Sequence, residues 1–110
     1  MTQTRTPANS KPEKLVPYDV ADHLRSPEEM AAYLDLWLDE FSDDVSGIAR
    51  AVGDIARAKG MTQVAKEAGL SRESLYRALS QEGNPSFSTI LKVLAAVGLK
   101  LSVSVATRDD

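Results

Sequence analysis

Met61 to Ser80 reads MTQVAKEAGLSRESLYRALS. Two short amphipathic runs flank Gly69-Leu70-Ser71, and the residues at their ends say how each run starts and stops. Thr62 is placed to cap a helix from Gln63 to Ala68 by accepting an otherwise partnerless amide N–H, and Gly69 closes that helix. Ser71 is placed to cap a second helix from Arg72 to about Ser80. Ala65, four residues before Gly69, leaves room for a close helix crossing, and Gly69 supplies the positive φ that so tight a link requires. Leu70, Leu75 and Ala78 are expected to face inward.

Helix, tight glycine turn and short polar helix is the helix-turn-helix pattern. With Leu70, Leu75 and Ala78 inward, Arg72, Glu73, Tyr76 and Arg77 point outward near the start of the second helix, where side chains reach base edges in a major groove. Arginine can donate two hydrogen bonds to guanine, glutamate can accept from the cytosine amine, and tyrosine can pack on a thymine methyl. Thr62, Gln63, Lys66, Ser71 and Ser74, with the helix-start amides, suit phosphate contacts, which position without reading sequence. Short helix pairs also occur in proteins that never touch DNA, and outward polar residues equally suit a plain solvated surface.

Upstream, Ser26-Pro27-Glu28-Glu29 predicts a helix start with Ser26 as cap, Pro27 at the first helical position and Glu29 completing a capping box. Its apolar stripe is Met30, Tyr33, Leu34, Trp37, Leu38 and Phe41. A second helix is expected from Asp43 and Asp44, where Val45, Ile48, Ala49, Val52, Ile55 and Ala56 keep a three-four rhythm, ending at Lys59 and Gly60. After the turn at Glu82-Gly83-Asn84-Pro85, Ser86 or Ser88 caps a last helix with Ile90, Leu91, Val93, Leu94 and Val97 inward and Gly98 as terminator. From Leu99 to Ala106 the period changes to two: Leu99, Leu101, Val103 and Val105 alternate with Lys100, Ser102 and Ser104, which predicts a strand. Such a strand needs a partner, either Val16 to Val20 or its own copy in a second subunit.

The chain has 110 residues, enough for one domain with a real core. Residues 1–16 have the composition of a flexible tail, and residues 17–106 form the expected domain. Without cysteine there are no disulfides and no thiolate chemistry, which fits a reducing compartment. No apolar run approaches a bilayer span and no export signal is evident, so a cytoplasmic protein is expected. The formal net charge of −3 hides an asymmetry. Residues 18–56 hold ten acids against two bases, a net −8, whereas residues 57–100 hold seven bases against three acids, a net +4. Local potential decides where a polyanion docks, so the basic half suits DNA and the acidic half a cationic protein.

Other candidates carry little. His23 is the sole histidine and stands beside acids, as surface histidines commonly do. Asp35 with Asp39, and Asp43 with Asp44, occupy outer helix faces as solvated acids do, and no metal or other cofactor is expected. Trp37, Tyr33 and Phe41 suit core packing or a partner surface. No nucleophile–base pair or phosphate-binding loop can be assembled, so no enzyme is expected.

Gly60-Met61-Thr62-Gln63-Val64-Ala65, Gly69 through Ser80 and Gly83-Asn84-Pro85 closely resemble the prophage-type addiction-module antidote proteins, which are similar to HigA antitoxins of the Xre/Cro helix-turn-helix superfamily. The likeness runs through Tyr18 to Leu24, Ala31 to Leu34 and Leu91 to Leu99, covering about residues 15–106. It implies a mainly α fold, a five-helix lambda-repressor-like helix-turn-helix domain ending in the C-terminal β-strand. It also implies an antitoxin that binds double-stranded operator DNA, represses its own operon and neutralises a small RelE/HigB-like toxin, with the operator-reading face again at Arg72, Glu73, Tyr76 and Arg77. A stand-alone prophage regulator and a protein-interaction adaptor that no longer reads DNA are the alternatives. Because one short helix reads few base pairs, a homodimer is expected, with Leu99, Leu101, Val103 and Val105 as its interface.

Overall fold

The computed structural model describes residues 20–80 and 83–107, so the tail expected at residues 1–16 lies outside them. A 3-10 turn at Val20–His23 leads into α1 (Pro27–Glu40). The Ser26 hydroxyl accepts from the Glu29 amide at 3.1 Å, as expected of the cap. The Glu29 carboxylate accepts from the Arg25 amide at 2.6 Å, closing the box one residue before the cap. Helix α2 (Val45–Lys59) starts where the Asp44 carboxylate accepts from the Gly47 amide at 2.9 Å. It is the central element, meeting α1 on one side and the later helices on the other. Its small residues Ala49, Ala51, Gly53 and Ala56 are buried, which lets neighbouring helices come close.

Helix α3 (Met61–Ala68) follows Gly60 directly and has no side-chain cap. The cap expected from Thr62 is therefore corrected: Gly60, at φ 119°, turns the chain so sharply that α3 begins at Met61, and Thr62 already lies within the helix. Gly69 adopts φ 74°, and the Leu70 amide donates to the Ala65 carbonyl at 2.8 Å, closing the turn. In α4 (Arg72–Ala78) the Ser71 hydroxyl accepts from the Ser74 amide at 3.0 Å. This helix stops before Ser80, whose hydroxyl donates to the Arg77 carbonyl at 2.9 Å. For α5 (Phe87–Ala96) the cap is Ser86, accepting from the Thr89 amide at 3.1 Å, rather than Ser88.

Ile55, Leu75, Leu94, Val52, Val64, Val93 and Val97 are fully buried at the meeting of α2 to α5. Each such side chain contributes about 1.5–3 kcal/mol. Leu91, expected inward, is 42% exposed, because Val93, Leu94 and Val97 already fill the inward face of α5. One polar group is built into this interior. Asp54 on α2, 9% exposed, accepts from the Tyr33 hydroxyl of α1 at 2.6 Å and from the Arg57 guanidinium at 2.9 Å. Burial, reinforced by the hydrogen bond to Asp54, pushes the Tyr33 hydroxyl up from 10.0 to about 12.

No strand occurs among the described residues, which corrects the one expected from Leu99 to Ala106. Alternation in the sequence reports two unlike faces, but a strand also needs a ladder, and Val20, the end of one candidate partner, belongs to the 3-10 turn. Leu99 instead closes α5, its amide donating to the Leu94 carbonyl at 2.8 Å, and it packs against the core. Beyond it Leu101, Val103 and Val105 are 38%, 97% and 88% exposed.

Candidate functional site

The pair α3 and α4 places the expected readers on one outer face. Leu75 and Leu79, 0% and 5% exposed, anchor α4 to the core, and helical spacing then turns Arg72, Glu73, Tyr76 and Arg77 outward; all four are exposed. Arg72 and Tyr76, one turn apart, hold each other: the guanidinium carbon lies 5.4 Å from the ring centroid, and a guanidinium nitrogen donates to the tyrosine oxygen at 3.5 Å. That contact couples the two side chains on the α4 surface.

Thr62, Gln63 and Lys66 are exposed on α3. The Gln63 side-chain amide donates to the Glu67 carboxylate at 3.0 Å, which uses one of its two N–H donors. Ser71 is exposed but its oxygen already serves the α4 cap, while Ser74 is half-buried. Eight of the nine expected contact residues thus lie exposed, and Ser74 sits deeper than expected.

Between these helices lies a polar trough of about 390 Å³, lined by Asp22, Arg57, Met61, Thr62, Arg72 and Tyr76 among others. Met61 and Thr62 open α3 beside it without a side-chain cap, and Arg72 brings positive charge to its wall, while the Arg57 guanidinium there is paired with Asp54 at 2.9 Å and Asp22 adds a negative charge. Arg57 is the participant that sequence reading passed over. Its clue was position: it stands four residues before Met61, in the last turn of α2, and the sharp Gly60 junction folds that turn back beside α3.

Among the described residues no cluster of acids and histidine could hold a metal ion, and no helix is long and apolar enough to cross a membrane. What the fold and this face define together is a mainly helical module, with five α-helices among the described residues, that presents a short, charged helix on a tight glycine turn. Comparison with known proteins gives the family: residues 14–105 match the family described as "Probable addiction module antidote protein", and the chain belongs to it. It is 50% identical over 91 residues to a protein of Haemophilus influenzae (strain ATCC 51907 / DSM 11121 / KW20 / Rd) described as "Uncharacterized protein", a match covering 83% of this chain and 92% of that relative. No solved structure matches the chain.

Proposed function

We propose that this chain is the antitoxin of a type II toxin–antitoxin module, a helix-turn-helix protein that binds its operator as a homodimer, represses its own operon and neutralises a small RelE/HigB-like toxin. Family membership supports the antidote role, and an antidote implies a toxin. The observation that carries the DNA-binding reading is the exposed row Arg72, Glu73, Tyr76 and Arg77 on α4, beside a polar trough that the uncapped start of α3 also lines. Arg72 and Arg77 read guanine edges, Glu73 and Tyr76 refine the choice, and Thr62, Gln63, Lys66 and Ser71 meet phosphates. No reaction is assigned to the protein.

A single α4 contacts only a few base pairs, so the module works in pairs whose half-sites lie ~34–36 Å apart. Val103 and Val105, 97% and 88% exposed after α5, supply an apolar surface for that pairing, whereas Leu99 is taken up by its own core and Leu101 turns towards α1 and α5. The test is a reporter driven by the promoter upstream of this gene, with and without the neighbouring small reading frame expressed. Repression that is lost in the Arg72→Ala, Arg77→Ala double variant, together with toxicity of the neighbour that this chain relieves, is expected. Unchanged reporter output would remove the repressor role, and a harmless neighbour would leave only a stand-alone regulator.

A further inference from the structure

An apolar groove of about 220 Å³ opens on α1, the start of α2 and α5, its walls including Leu34, Leu38, Val45, Phe87, Ile90 and Leu101. Val45 and Phe87 stand at its mouth, 64% and 67% exposed, a costly exposure for side chains that gain by burial. None of its lining residues belongs to α3 or α4, and none lines the polar trough beside them.

The chemistry around the groove says what kind of molecule fits it. From Asp35 to Asp44 the chain carries Asp35, Asp39, Glu40, Asp43 and Asp44 and no base, and all five are exposed. Leu38 and Val45 of the groove stand in and directly after this acidic segment. A second copy of the same face would set five acids against five, which like-charge repulsion opposes. A cationic partner with an apolar ridge satisfies both features, since apolar side chains fill the groove while its basic residues answer the flanking acids.

We infer that this groove, flanked along the chain by exposed acids, is where the cognate toxin docks, through a basic segment with an apolar face. The inference rests on the antitoxin reading and adds to it a location, with the consequence that toxin and operator occupy separate surfaces and bind together.

The probe is the purified product of the small reading frame adjacent to this gene, titrated against full-length protein. Val45→Arg with Phe87→Arg changes two exposed positions and is expected to weaken binding of that product at least about tenfold. Asp39→Lys with Asp43→Lys is expected to slow association and flatten its salt dependence. Both variants keep wild-type operator affinity, which doubles as the check that they fold, and the complex with the adjacent product still shifts operator DNA. If wild-type protein binds the product and both variants bind it equally well, the groove assignment is overturned while the antitoxin reading stands. If wild-type protein does not bind the product, the antitoxin reading falls and the inference with it. Dissociation of a wild-type homodimer by Val45→Arg with Phe87→Arg would overturn the inference in favour of a self-interface.

Discussion

Arg72 and Arg77 differ from Lys66 in what they can say to a DNA duplex. A guanidinium that donates two bonds to one guanine distinguishes sequences, whereas an ammonium near a phosphate attracts all of them. Arg72→Ala and Arg77→Ala should each cost ~1–3 kcal/mol on the operator and much less on random duplex, and Lys66→Ala should weaken both alike. Titration of each variant against the two duplexes checks this, and equal losses for the arginine variants would remove the readout role. Asp54 makes a second residue-level case. Asp54→Ala leaves the Tyr33 hydroxyl without its acceptor and should destabilise the fold by about 1–3 kcal/mol, nearer the lower figure because the Arg57 side chain is 37% exposed and can turn to water. Tyr33 also predicts a pH response. Its hydroxyl titrates at about 12 in the folded chain against 10.0 when unfolded, so its contribution is intact below pH 10.0 and is lost as pH rises towards 12. Denaturant unfolding between those limits should fall more steeply for wild type than for Tyr33→Phe.

At the scale of elements, the helix starts were largely legible because capping is local chemistry. Ser26, Asp44, Ser71 and Ser86 each accept from an amide three residues on; Ser26 and Ser71 stood out in the chain, whereas Ser86 was one of a pair with Ser88 and Asp44 one of a pair with Asp43. Thr62 failed as a cap because Gly60 joins two helices without an intervening loop, a geometry no local propensity announces. The segment after Leu99 failed for a different reason: period-two alternation describes faces, and a strand depends on a partner that alternation does not name. The Tyr33 to Asp54 bond was illegible too, since 21 residues separate its ends and Asp54 counted simply as one more acid. The outward face of α4 was legible because Leu75 and the Gly69 turn fix its phase. That phase is testable. Gly69 sits at φ 74° in open space, so Gly69→Val should cost about 1–2 kcal/mol from backbone strain alone and should weaken operator binding by tilting α4. Gly69→Asn, tolerant of the left-handed region, should retain most of both properties in denaturant unfolding and DNA titration.

Across the whole molecule, charge and apolar exposure are divided by location. Acids crowd the end of α1 and the start of α2, bases gather from the end of α2 onward, and exposed apolar side chains collect at the groove and along residues 101–105. The proposed pairing through Val103 and Val105 predicts that a chain ending at Ser102, which keeps Leu99 with its core contacts and Leu101 in the groove, sediments as a folded monomer. A fully dimeric truncated chain would place the interface elsewhere. The central claim is that α4 of this antidote-family protein reads DNA. The most direct measurement is the affinity of the full-length protein for duplex DNA from upstream of its own gene and for a scrambled duplex, each followed over a range of salt. The account predicts that the upstream duplex binds at least ~10³-fold more tightly and that both affinities fall linearly in the logarithm of salt concentration. Equal, weak and salt-insensitive binding to the two duplexes would contradict it.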